Sequence, residues 1–202
     1  YSRLFYTKNL SPNRSGNISL RHIKDRVEGF LISPSGKKNT ELKVNDIVFV
    51  TMNGIIEKNK KPSSEWKFHL DIYKATNYKA IVHAHSKFAV ICSCLYNVIP
   101  SFHYMIALTQ SKKIKVAKYS LFGTEGLSKN ILKAIEKSKS CLISNHGQVS
   151  IDMNLSSAFE LAEEVEMLCE YYYYCMLQKK PKKISSIEMS KVLKKIFNYK
   201  SN

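Results

Sequence analysis

The sequence predicts an α/β fold of three layers, with a mainly antiparallel central β-sheet flanked by helices. Three observations carry that prediction. Short apolar runs of strand length stand before and between segments of helical spacing. Several of those runs are joined by tight turn signals, which pair strands antiparallel. The helical segments place their apolar residues on one side, as helices laid on a sheet do.

Taken in order, residues 11–17 (Ser-Pro-Asn-Arg-Ser-Gly-Asn) form a turn-rich loop with several hydrogen-bond donors. Ile18 to Arg21 alternates and reads as a strand. Residues 29–33 form a second short strand, closed by the turn Pro34-Ser35-Gly36. Residues 47–50 are a strongly apolar strand, and Asn53-Gly54 signals a hairpin with residues 55–57 as its return strand. A Lys-rich loop over 58–61 leads into Pro62-Ser63-Ser64-Glu65. Trp66 to Ala75 has helical spacing, with Ser as its cap and Glu65 in its first turn. Lys79 to His85 is the next strand and Lys87 to Leu95 the next helix.

Residues 97–107 are apolar but irregular and broken at Pro100, and Ile114 to Ala117 is a short strand. After the loop at Phe122-Gly123-Thr124, residues 128–137 form an amphipathic helix with Ile131, Leu132 and Ile135 inward. Residues 141–144 and 149–151 pair across Asn145-His146-Gly147. Asn154 caps a long helix from Leu155 to Leu177, whose inner stripe is Ala158, Phe159, Ala162, Val165 and Cys169. A Lys-faced helix over 188–197 runs up to Tyr199. No repeat or low-complexity linker divides the chain, so residues 1–202 are expected to be one domain.

Charge and composition exclude several classes of function. The net charge is +16, but among the 32 basic residues only Arg3, Arg14, Arg21 and Arg26 are arginines. Readers of nucleic acid rely on Arg forks against bases and phosphates. Scattered Lys is a solvated surface that raises the arrival rate of anionic metabolites, so no nucleic-acid partner is expected. No apolar run approaches the roughly 20 residues that span a bilayer, so no membrane partner is expected either. The five cysteines, Cys92, Cys94, Cys141, Cys169 and Cys175, lie in apolar or helical surroundings. That suits a reduced, cytoplasmic protein with thiols in its core.

The chemistry centres on His83-Ala84-His85. Strand side chains alternate faces, so the two imidazoles share one face with Ile81. Each needs a buried partner, and a metal would satisfy both. His146, at a strand end before a Gly turn, is the best third ligand, and Glu65 the nearest candidate for a fourth ligand or a general base. The helix start at Ser63-Ser64 suits an anion, with Ser15-Gly16-Asn17 and Ser35-Gly36 able to close around it. Each signal has a plainer reading: ordinary buried or surface histidines, a first-turn acid favoured by the helix dipole, and serines that only cap.

Four motifs in one order go further. Residues 62–69 (Pro-Ser-Ser-Glu-Trp-Lys-Phe-His), the pair His83/His85, residues 99–107 (Ile-Pro-Ser-Phe-His-Tyr-Met-Ile-Ala) and Asn145-His146-Gly147 resemble the class II aldolase/adducin family. The resemblance covers nearly the whole chain and is nearest to members that cleave L-fuculose 1-phosphate. It implies a zinc-dependent lyase cleaving a ketose 1-phosphate, a phosphorylated sugar, to dihydroxyacetone phosphate and an aldehyde, L-lactaldehyde in the case of L-fuculose 1-phosphate. His83, His85 and His146 would hold one Zn2+ per subunit, and Glu65 would be both a metal ligand and the catalytic acid/base. Asn17, Ser35, Gly36, Ser63 and Ser64 match the phosphate-binding positions. Tyr104 matches a catalytic tyrosine that acts from a neighbouring subunit, and Phe122 and Tyr199 match aromatic positions lining the substrate. The implied assembly is a homotetramer with sites between subunits, and the implied sheet has nine strands.

The family also contains a methylthioribulose-phosphate dehydratase, sugar-phosphate 4-epimerases, which carry Asp in place of Glu65, and the non-catalytic adducin head, which lacks the metal set. Two departures stand out. The family's N-terminal helix is expected to be truncated here, and Arg14 and Ser15 stand where relatives have small residues.

Overall fold

The computed structural model describes the backbone of residues 1–200 and the side chains of residues 1–198. Its strands are β1 (Asn17–Lys24), β2 (Val27–Ile32), β3 (Val48–Thr51), β4 (Ala80–Ala84), β5 (Val98–Ile99), β6 (Ile114–Ala117), β7 (Ser140–Ile143) and β8 (Gly147–Asp152). Its helices are α1 (Leu4–Thr7), α2 (Trp66–Ala75), α3 (Lys87–Leu95), α4 (Glu125–Ile135), α5 (Leu155–Gln178) and α6 (Ser186–Lys200). The strands form one sheet in the order β3-β2-β1-β4-β8-β7-β6-β5. Every pairing is antiparallel except β6 with β7.

The alternation of β4 shows how the layers arise. Ile81 packs on one face with Val149, Ile151, Phe68 and Ile72, under α2 and α4. Ala80, Val82 and Ala84 pack on the other with Phe5, Ala158 and Phe159, under α5 and α1. Further along that second face, α3, α5 and α6 close over Ile114 and Leu142 through Cys92, Val165 and Met189. A strand covered on both sides reads as continuously apolar, as Ala80-Ile81-Val82 does.

The helices α2 and α3 begin and end where the spacing places them, and the inner stripe of α5 is buried at every expected position. Four expectations need correction. Residues 55–57 form no strand: Gly54 turns the chain, but only the bridge Val50–Ile56 follows. The Glu57 carboxylate takes the Phe49 N–H (3.2 Å) that a ladder would have used. The sheet accordingly has eight strands among the described residues, not nine. The helix expected over 128–137 starts at Glu125, because Thr124 Oγ1 accepts from the Leu127 N–H and caps it. Cys94 is exposed rather than core, since two residues along α3 turn it to the opposite side from buried Cys92. The first helix, α1, is a single turn whose Phe5 stacks on Phe159. One hairpin carries no recognised turn signal. Asp25 and Arg26 join β1 to β2 with φ of 50° and 66°, a left-handed pair usually given to Asn-Gly.

Candidate metal and anion site

Antiparallel register gathers the site. The end of β4 meets the start of β1 on one side and the start of β8 on the other, so Asn17 lies opposite His83 and Ala84 opposite Gln148. His85 follows β4 directly and His146 precedes β8. Gly147 permits this closeness, because a Cβ there would sit 2.3 Å from the Ala84 carbonyl oxygen. Glu65 arrives at the cap position of α2, one residue before the helix rather than in its first turn. Its backbone N–H is taken by Ser63 Oγ (3.3 Å), and its carboxylate turns inward.

One ligand atom each from Glu65, His83, His85 and His146 lies within 4.8 Å of the others. His83 Nε2 is 3.1 Å from Glu65 Oε2, His146 Nε2 is 3.4 Å from Glu65 Oε1, and the Nε2 atoms of His83 and His85 are 3.0 Å apart. His83 Nδ1 donates to the Gln148 carbonyl (2.8 Å), which fixes the ring and leaves Nε2 facing the cluster. Ser11 Oγ accepts the His85 N–H (2.8 Å) and ties down the turn after β4.

Burial works against charge on Glu65, but His83 foremost, then His146 and His85, outweighs it and holds the carboxyl well below the usual range. Burial likewise opposes a charge on His83, and adjacent Glu65 overrides it and raises that pKa. Burial, helped by the charge of His83, lowers His85 to about 3 and His146 to about 4. One carboxylate and three imidazoles thus converge on one small space. Glu65 Oε1 is buried with no hydrogen-bond partner among the described residues. That orphaned oxygen beside three imidazole nitrogens fits a divalent cation.

The same cavity, about 400 Å³, continues from the cluster to a rim of small residues. That volume suits a small metabolite. Ser15, Gly16 and Asn17 come from the loop into β1, Ser35 and Gly36 from the turn after β2, and Ser63 and Ser64 from the approach to α2. Main-chain bonds staple these loops: the Ser63 N–H donates to the Ser33 carbonyl (3.0 Å) and the Ser35 N–H to the Lys61 carbonyl (3.1 Å). Gly16 lies at φ +73°, and a Cβ there would sit 2.8 Å from the His83 carbonyl oxygen. Among the described residues Arg14 is the one Lys or Arg in the lining.

The structure therefore brings together Glu65, His83, His85, His146, Asn17, Ser35, Gly36, Ser63, Ser64 and Phe122. The Asn17 amide also bonds to Glu65 and His69. Tyr104 does not line the cavity; it sits in the 3-10 turn Tyr104–Thr109 and is 53% exposed. The Tyr199 side chain lies outside the described residues. Sequence reasoning missed Gln148, Ser11, Tyr119 and Asn145. A glutamine inside an apolar strand was a readable signal for Gln148, whereas Ser11 acts only through a loop crossing.

Fold and cluster together define a class II, metal-dependent aldolase. The chain belongs to the Class II Aldolase and Adducin N-terminal domain family, whose model matches residues 1–173. It is 39% identical over 202 residues to the 5-methylthioribulose-1-phosphate/5-deoxyribulose-1-phosphate aldolase of Rhodospirillum rubrum, covering 100% of this chain and 90% of that one. It is 36% identical over 192 residues to the L-fuculose phosphate aldolase of Escherichia coli K12, covering 94% and 87%. A solved L-fuculose 1-phosphate aldolase superposes with a TM-score of 0.91 at 33% identity, covering 97% of this chain and 92% of that one.

Proposed function

We propose that this chain is a zinc-dependent aldolase that reversibly cleaves a ketose 1-phosphate to dihydroxyacetone phosphate and an aldehyde. The observation that carries the reading is that one cavity is lined by Glu65, His85 and His146 of the cluster, with His83 buried behind them, and by the stapled loops of small donors. His83, His85, His146 and Glu65 hold the zinc, which when bound supplies Lewis acidity to a substrate carbonyl. Asn17, Ser35, Gly36, Ser63 and Ser64 hold the phosphate and so fix the distance from phosphate to reacting carbons. In the cleavage direction the proton of the C4 hydroxyl passes by way of Tyr104 to solvent, the C3–C4 bond breaks with its electron pair left on C3, the aldehyde leaves, and Glu65, having taken a proton from solvent, passes it to C3. Tyr104 handles the hydroxyl that becomes the aldehyde. Its exposure outside the cavity supports a homotetramer in which it serves a neighbouring copy.

L-fuculose 1-phosphate is the first substrate on this reading. The similarity to the R. rubrum enzyme favours a second, 5-methylthioribulose 1-phosphate. Both sugars end in an apolar group, and the cavity lining includes the aromatic Phe122 and Tyr119. The intact His/Glu set speaks against an adducin-like module without activity. The test is metal analysis of the purified protein followed by a panel of ketose 1-phosphates assayed for dihydroxyacetone phosphate. The expected result is roughly one zinc per chain and release from at least one of the two sugars. Full zinc loading with no release from any member overturns the reading.

A further inference from the structure

Behind Glu65 lies a file of buried polar groups, of which Asn17 alone also borders the proposed anion site. Asn17 Nδ2 donates to Glu65 Oε2 at 3.0 Å, and Asn17 Oδ1 is 2.5 Å from His69 Nε2. His69 Nδ1 is 2.7 Å from Ser19 Oγ, which is 2.7 Å from the Tyr73 hydroxyl. Two periodicities build the file. Asn17 and Ser19 share one face of β1, while Glu65, His69 and Tyr73 recur every four residues along the start and length of α2. The two ladders interleave. His69 is 0%, Ser19 1% and Tyr73 1% exposed, among Phe30, Phe68 and Ile81. Such polar atoms in an apolar layer cost stability unless each is matched.

The hydrogens have one consistent arrangement. The Glu65 carboxylate only accepts, so the Asn17 amide must present its nitrogen there and its oxygen to His69. That oxygen also only accepts, so His69 carries its proton on Nε2. No carboxylate touches His69, and burial keeps it neutral, with a pKa lowered to about 3. Nδ1 then accepts from the Ser19 hydroxyl, and Ser19 accepts from Tyr73. Were the Asn17 amide turned over, its oxygen would face the Glu65 carboxylate with no hydrogen between them.

We infer that Asn17, His69, Ser19 and Tyr73 are positioning residues, which lock the Asn17 amide nitrogen against Glu65 Oε2 and thereby fix the carboxylate with Oε2 at His83 and Oε1 at His146. The inference rests on the proposed role of Glu65 as ligand and base. Asn17 is then held by the core as well as bordering the anion site, which couples the interior of the β1–α2 layer to the orientation of the carboxylate.

The experiment is a set of full-length variants read three ways: zinc affinity by competition with a chromophoric chelator, kcat against KM, and the His69 tautomer by ¹⁵N NMR. His69→Leu is expected to lose about 10–100-fold in zinc affinity, the range for removing an outer partner of a metal ligand. The same variant should lower kcat with KM within about threefold. His69→Gln keeps a donor where Nε2 stood and is expected to recover both to within about threefold. Thr109→Val, at an equally buried hydroxyl remote from the site, controls for lost stability. Should His69→Leu not fold, Ser19→Ala carries the test, with a mixture of tautomers and at least a roughly threefold loss of affinity. The inference fails if His69→Gln is no better than His69→Leu, if Thr109→Val weakens zinc as much, or if wild-type His69 is the Nδ1–H tautomer. If the wild type binds no zinc and cleaves nothing, the proposed function fails, and the tautomer alone still decides whether the file is ordered as inferred.

Discussion

At the histidine end of the cavity the candidate ligands are long side chains at the ends of elements, His83 in β4, His85 just after it, His146 just before β8 and Glu65 at the start of α2; at the anion end they are mostly small residues in loops, with Asn17 at the start of β1. His83 is fully buried between β1 and β8, with Nδ1 bonded to Gln148 and Phe68 edge-on to its ring. At the anion end Asn17 and Ser63 are buried, whereas Ser35 is half-buried and Gly36 and Ser64 are exposed. The loops there are held by main-chain crosslinks such as Ser63 to Ser33, and by Asn39 Nδ2 donating to the Ser15 carbonyl (2.9 Å). Ligands that must share one metal need fixed directions, which dense packing supplies. A phosphate accepts donors from many directions, so loops suffice provided they stay closed. The two ends should therefore fail differently, one in metal and kcat, the other in KM.

Glu65→Gln gives the largest expected effect. The variant keeps the shape of the cluster but loses the proton carrier, so kcat should fall by about 10²–10⁴-fold with the fold intact. Dihydroxyacetone phosphate release measures it, and near-normal turnover would break the assignment. His146→Ala should next leave the protein substoichiometric in zinc by elemental analysis, while inorganic phosphate still protects the cradle loops from proteolysis. Equal loss of that protection would show the two ends to be one unit.

Two glycines sharpen the contrast in stability. Gly147→Ala forces a Cβ to 2.3 Å from the Ala84 carbonyl at the histidine end, and should cost roughly 2–4 kcal/mol in urea unfolding. Gly36→Ala at the anion end meets nothing within 4 Å, but its φ is +79°. It should cost only about 1 kcal/mol. Similar costs at both would mean that the anion end is packed as tightly as the other. The smallest effect is expected from Arg14→Ala. It should raise KM for the phosphorylated substrate by roughly 3–10-fold, as loss of one charge-assisted bond does. Its kcat should stay within about twofold, and the difference should shrink with added salt. A change in kcat rather than KM would place Arg14 with the wrong end.

Much of this was readable along the chain because it depends on spacing. The apolar run of β4, the bounds of α2, the small-residue turns and the stripe of α5 are all local patterns. The failures were local competitions decided by distant or side-chain partners. Glu57 took the N–H that would have extended the 55–57 strand. Asp25 and Arg26 adopted left-handed backbone without glycine or asparagine, because the pairing of β1 with β2 over six residue pairs holds the turn. His69 looked like an ordinary mid-helix residue, since nothing near it in sequence names its partners.

By itself the sequence determined which residue types were available and which side of each element they occupied. It placed two imidazoles two residues apart at the end of a strand, a carboxylate at a helix start and small donors in turns. Tertiary structure alone decided that Asn17 lies opposite His83, that Asn17 reaches Glu65 across 48 positions, and that Gln148 orients His83 across 65. The reason is physical. Periodicity specifies a face within an element, whereas register and packing between elements are set by long-range pairing energies that no short window of residues contains.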